Sequence, residues 1–137
     1  MELTSLDQQL IEAAIAHIKQ HFSEKKHRLA TSILTGNGEI LTAVNVEGSF
    51  GCNDVCAEQV ALGVALSQGK NDIACLVTAK HPRPEEANQD VRVVSPCGKC
   101  RELIIDYAPN AWVILRSGDD VLKVKATDLL PYRYSKV

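Results

Sequence analysis

The sequence predicts a three-layer α/β/α fold around a mixed central sheet of about five strands. Apolar residues recur at helical period near the N-terminus, and short β-branched runs are separated by glycine-containing turns. One continuous apolar run, Ile73–Ala79, has the pattern of a central strand covered on both faces. The element order helix, hairpin, helix, strand, strand, helix, strand, strand is that of a sheet with helices packed on it.

Ser5 and Gln8 have capping-box spacing, and Leu6, Leu10, Ile11, Ala14, Ile15, Ile18 and Phe22 follow at helical period. A first amphipathic helix is therefore expected from about Leu6 to His21. Ala30–Thr35 and Glu39–Val46 read as strands joined by Gly36-Asn37-Gly38, a hairpin signal. Asp54 can cap a helix from Val55 to about Ser67, with Gly69 as its stop. That helix is apolar nearly all round, and Ala61, Gly63 and Ala65 permit a neighbour to approach closely. His81–Asp90 reads as a solvated loop, Val91–Val94 as a short strand, and Cys97 to about Tyr107 as a helix closed by Pro109. Strands Ala111–Leu115 and Val121–Lys125 flank the turn Ser117-Gly118-Asp119-Asp120, and Thr127 can cap a last short helix. No repeat, low-complexity stretch or internal boundary interrupts residues 1–137, so one domain is expected.

With 45% apolar, 23% charged and 4% aromatic residues, the chain suits a soluble protein with an aliphatic core. A net charge of -2 gives no electrostatic case for nucleic acid, which normally requires a clustered basic face. No apolar run approaches the ~18 residues of a membrane span. The polar, acidic N-terminus is unlike a signal peptide, which points to the reducing cytoplasm. Five cysteines in that setting argue for metal binding or catalysis rather than disulfides.

The chemistry concentrates at two helix starts, Cys56-Ala57-Glu58 and Pro96-Cys97-Gly98-Lys99-Cys100. Cys97 and Cys100 lie three apart on a first helical turn, so both can face one point. Helix N-termini favour thiolate, and side-by-side helices would bring Cys56 to the same point. Three thiolates can hold zinc and leave a fourth position free, where the Glu58 carboxylate can move protons. Glu58 and Cys56 share a site only if Cys56 sits at the helix edge. Two other readings compete: a redox dithiol of Cys97 and Cys100, and a closed four-cysteine zinc site that recruits Cys52. Cys75, inside an apolar strand, reads as a packed small hydrophobe.

The run Cys-Ala-Glu, the apolar Val60-Ala61-Leu62, and then Pro-Cys-x-x-Cys-x-x-Leu resembles the zinc signature of the cytidine deaminase superfamily. The block Arg92 to Pro109, with Lys26-His27, Lys80-His81-Pro82 and Leu129-Leu130-Pro131, is similar to the bacterial-type blasticidin S deaminases within it. The likeness spans nearly the whole chain from about Lys25. It implies one Zn²⁺ per subunit held by Cys56, Cys97 and Cys100, with Glu58 as proton shuttle. The implied reaction is hydrolytic loss of the C4 amino group of a cytosine ring, with proton delivery to N3 and release of ammonia. Backbone near Ala57 and Ser95 would hold the ring edge. Blasticidin S is the first substrate implied; cytidine or deoxycytidine is the alternative.

Asn45-Val46-Glu47 resembles the Asn-x-Glu with which cytidine deaminases hold ribose hydroxyls; the plainer reading is a polar strand end. Glu47 can equally meet a cationic group on the antibiotic. His27 stands where cytidine deaminases place an aromatic near the base, and Ala30-Thr31-Ser32 replaces their Gly-Ala-Ala. Gln59 stands where three-cysteine members carry arginine, so only neutral hydrogen bonds and helix dipoles offset the thiolate charge. Tyr134 aligns with an aromatic that reaches a neighbouring subunit's active site, against the plainer reading of a surface tail. A homotetramer, a small-molecule substrate, and neither nucleic acid nor membrane as partner complete the expectation.

Overall fold

The apolar run Ile73–Lys80 forms the axis of the sheet. In the computed structural model, which describes residues 2–136, the strands are β1 (Leu29–Thr35), β2 (Ile40–Val44), β3 (Ile73–Lys80), β4 (Arg92–Val94), β5 (Trp112–Ser117) and β6 (Asp120–Lys125). The helices are α1 (Ser5–His21), α2 (Ala57–Ser67) and α3 (Gly98–Tyr107). Five strands lie abreast in the order β2-β1-β3-β5-β6, and β4 makes a sixth against β3. Among the described residues only β3 and β5 pair in parallel. Because β5 pairs Cys75–Val77 and β4 pairs Thr78–Lys80, the two occupy one edge of β3 end to end. The short β4 thus satisfies backbone groups that β5 leaves open.

Strand alternation divides the core between two faces. Leu34, Cys75, Val77 and Ile114 meet Leu10, Ile11 and Ala14 of α1. Ile33, Leu76, Val113 and Leu115 meet Ala61, Leu62 and Ala65 of α2 and Ile104 and Ile105 of α3. These are the three layers the pattern predicts. Ala61 and Ala65 let α2 lie close to the sheet, whereas Gly63 is on its exposed side. Gly69, at φ +73°, ends α2: its N–H reaches the Leu66 carbonyl, and the Lys70 N–H reaches that of Ala65. Among the described residues no helix is long and apolar enough to cross a membrane.

Three caps differ from expectation. The capping box of α1 is Thr4 with Asp7, not Ser5 with Gln8: Thr4 N–H donates to Asp7 Oδ2 at 2.8 Å, and Asp7 N–H to Thr4 Oγ1 at 3.1 Å. Asp54 does not cap α2; its carboxylate accepts from Gly48 N–H at 2.8 Å, and Cys56 is the N-cap. Val55 pairs with Val46 in an antiparallel bridge, so the chain stays extended until Cys56. Lys125 rather than Thr127 precedes the final 3-10 turn Ala126–Leu129, because Ala126 N–H already bonds the Ala111 carbonyl.

Asp7 is 2% exposed, and Lys123 Nζ lies 2.9 Å from its Oδ2. Burial pushes the Asp7 carboxyl up, but the Thr4 N–H, the Lys123 ammonium and the Thr4 hydroxyl outweigh it and hold it below the ordinary 3.8. A depressed folded pKa stabilises above the unfolded value, and that stability is lost as pH falls through the folded one. Asp7→Ala removes the cap and leaves Lys123 without its anion, so about 3 kcal/mol of unfolding free energy should be lost near neutral pH. Urea denaturation of both proteins checks this, and the gap should narrow below pH 3.8.

Candidate active site and metal centre

The two helices on one face of the sheet start at the same place. Cys56 caps α2 and Cys97 caps α3, both with extended backbone (φ -65°, ψ 148° and φ -70°, ψ 170°). Cys100 lies in the first turn of α3. Cys56 and Cys97 sulfurs are 3.7 Å apart, Cys97 and Cys100 sulfurs 3.3 Å, and all three lie within 4.8 Å of one another. Tetrahedral zinc with Zn–S bonds of about 2.3 Å holds its sulfurs about 3.8 Å apart. The triangle fits one zinc ion per subunit. Cys100 is buried, Cys56 half-buried and Cys97 exposed, so the cluster is walled on the core side and accessible on the other. Cys52 is exposed in the 3-10 turn Gly51–Asn53 and outside the cluster, and Cys75 is buried in β3 with its thiol pushed up to about 12 by burial.

Burial raises the thiols of Cys56 and Cys100. Burial also acts upward on Cys97, but the Cys100 backbone N–H and the two neighbouring thiols outweigh it and lower Cys97. Gln59 Nε2 donates to Cys100 Sγ at 3.8 Å, the neutral hydrogen bond expected in place of an arginine contact. Glu58 is 4% exposed in the first turn of α2. Desolvation raises its carboxyl, offset in part by its own N–H, the Thr78 hydroxyl and Cys100. The Thr31 and Thr78 hydroxyls share a 2.6 Å hydrogen bond across β1 and β3, and Ser32 Oγ donates to the Leu10 carbonyl at 2.6 Å. The hydroxyls that replace Gly-Ala-Ala are thus consumed inside the protein.

A cleft of about 270 Å³ joins this cluster to the end of the β1–β2 hairpin. Cys56, Ala57, Glu58, Ser95 and Cys97 line one part of it. Ser95 donates its hydroxyl proton to the Arg116 carbonyl at 2.7 Å, so toward a ligand its side chain can only accept. Asn45 and Glu47 line the part nearest β1. Asn45 is also structural: its Oδ1 accepts from the N–H groups of Arg28 at 2.7 Å and Leu29 at 3.0 Å, leaving its amide NH2 for a ligand. His27 supports the site from behind, with Nδ1–H donating to the Asn45 carbonyl at 2.8 Å, and does not line the cleft. Tyr134 is 85% exposed and does not line this chain's own cleft. Arg133 beside it is held by Glu102 at 2.6 Å and Asp106 at 3.1 Å on α3.

Arg28 and Leu29 line the cleft without having been singled out from the sequence. Arg28 follows Lys26-His27 and looks like part of an exposed basic run. The backbone clamp from Asn45, 17 residues away, is what draws it inward.

Residues 4–116 match the model of the cytidine and deoxycytidylate deaminase zinc-binding region. The blasticidin-S deaminase of Bacillus cereus is 38% identical over 134 residues, covering 98% of this chain and 96% of that protein. A probable cytidine deaminase of Dictyostelium discoideum is 28% identical over 116 residues, covering 85% of this chain and 74% of that one. The crystal structure of cytidine deaminase from Burkholderia pseudomallei matches with a TM-score of 0.73 at 27% identity, over 96% of this chain and 100% of that one. The family match includes both cysteine clusters and Glu58. With the sulfur triangle and the buried glutamate, this places the chain in the cytidine and deoxycytidylate deaminase family of zinc-dependent hydrolases.

Proposed function

We propose that residues 1–137 form one deaminase domain that hydrolyses the C4 amino group of the cytosine ring in a nucleoside-type small molecule, with blasticidin S as its substrate. The observation that carries this is the buried Glu58 carboxylate beside three converging cysteine sulfurs in one cleft. Full-length identity of 38% to a blasticidin-S deaminase, against 28% to a probable cytidine deaminase, supports the antibiotic. Asn45 and Glu47 favour the second reading, cytidine or deoxycytidine: an amide donor and a carboxylate acceptor suit the hydroxyls of an unmodified sugar.

A zinc ion on the three sulfurs would supply Lewis acidity, making water acidic enough to act as a nucleophile near neutral pH. Glu58 takes the proton released from water, returns it to ring N3, and moves the remaining proton to the departing amino nitrogen. A carboxyl whose affinity for protons is raised by burial suits this exchange. Water and substrate balance as the uracil product and ammonia. The backbone at Ala57 and Ser95 orients the ring edge, and Asn45 and Glu47 the sugar. The protein acts in the cytoplasm as a homotetramer; exposed Gly63 on α2 and the free Tyr134 side chain support further contacts between copies.

Glu58→Gln should retain about one zinc per subunit and lose roughly 10²- to 10⁴-fold in ammonia release. An unimpaired variant would remove Glu58 from the chemistry. Cys97→Ala should lose stoichiometric zinc while Cys52→Ala keeps it, read by metal analysis after dialysis. Turnover of blasticidin S, cytidine and deoxycytidine under identical conditions should rank the antibiotic first by kcat/KM. A higher value for cytidine would establish the second reading.

A further inference from the structure

Arg28 is a buried cation with unused donors. The residue is 9% exposed, and its Nε has no hydrogen-bond partner among the described residues. Its ion-pair partner is Glu47, but Nη1 and Oε1 are 4.0 Å apart, well beyond the ~2.8 Å of a charge-assisted hydrogen bond. The backbone gives Arg28 little room to move. Its N–H is held by Asn45 Oδ1 at 2.7 Å, and its carbonyl accepts from His81 N–H at 2.8 Å. The residue lines the cleft beside Asn45 and Glu47.

A guanidinium offers five donors in a planar fork that matches a carboxylate or phosphate, and burying it without such partners is costly. A neutral sugar uses neither its charge nor its fork. Across Glu47 a second cleft of about 410 Å³ opens, lined by Lys25, Lys26 and Arg83 with Glu24 and Glu47. The region beyond the sugar position is therefore roomy and carries more cations than anions. We propose that Arg28 is a specificity-determining residue that holds an anionic oxygen group, carboxylate or phosphate, on the sugar of the cytosine substrate. The assignment rests on the deaminase reading above.

The test compares cytidine with two derivatives that differ only at the 5′ position: the 5′-carboxylate and the 5′-phosphate. The native enzyme should favour one of the anionic compounds over cytidine by about 10-fold or more in kcat/KM. The preferred derivative identifies the source of the anion. Arg28→Gln should lower that anionic-to-neutral ratio about 10- to 100-fold, and Arg28→Lys should restore part of it. A ratio unchanged in Arg28→Gln, or no anionic preference in an enzyme that deaminates cytidine, overturns the assignment and leaves the deaminase reading intact. Failure to deaminate these three and blasticidin S alike overturns that reading and the assignment with it, whereas for an enzyme that turns over blasticidin S alone the inhibition measurement that follows decides the assignment. Should Arg28→Gln not fold, competitive inhibition of the native enzyme by uridine 5′-carboxylate and 5′-phosphate, each against uridine, decides the matter. One anion should bind about 10-fold tighter at low salt and lose its advantage as salt rises; binding no tighter than uridine by either overturns the assignment.

Discussion

Two backbone hydrogen bonds between Val46 and Val55, at 3.0 and 2.8 Å, hold the chain extended up to the start of α2. The site depends on this restraint. It makes Cys56 the N-cap, free of helical geometry, while Glu58 two residues later already belongs to the first turn. Had the helix begun at Val55, Cys56 and Glu58 would point about 200° apart around its axis. Sulfur and carboxylate would then face different surroundings. The same logic applies on α3, where Cys97 is the N-cap and Cys100 reaches back from the first turn. Two interrupted helix starts, laid side by side on one face of the sheet, make the three-sulfur corner.

That corner gathers negative charge, and the fold answers it with dipoles rather than neighbouring cations. Helix N-termini present positive dipole ends to the sulfurs, and Gln59 adds a neutral donor to Cys100. Three thiolates and one Zn²⁺ carry a net charge of about -1, so the ligands keep enough electron density to damp the metal's acidity. Because zinc must displace thiol protons, metal affinity is coupled to pH. The cationic side chain of the cleft, Arg28, lies toward Glu47, where it bears on substrate choice.

Much of this was legible in the sequence because it is local. The period of α1, the glycine-containing turns, the doubly buried β3 and the separate pairs Cys56 with Glu58 and Cys97 with Cys100 all reside within short windows. The misplaced caps show where local reading ends. Thr4 with Asp7 and Ser5 with Gln8 have the same spacing, and Asp7 gains its further partner from Lys123, 116 residues away. Asp54 has a capping side chain, yet the Val46–Val55 bridge decides where the helix starts. Asn45 looks like a ligand contact and is also a clamp on β1; His27 looks like a pocket residue and instead supports the Asn45 backbone. Arg28 carries no local signal of its place in the cleft, because its burial follows from that clamp.

The deaminase chemistry requires a metal centre with three protein sulfurs and one position left for the reaction. X-ray absorption at the zinc edge of the purified protein tests it most directly. Three sulfur scatterers at about 2.3 Å and one oxygen or nitrogen scatterer at about 2.0 Å are the expected result. Four sulfurs around the metal would make it a closed structural site with no place for water, and the protein would not be a zinc hydrolase.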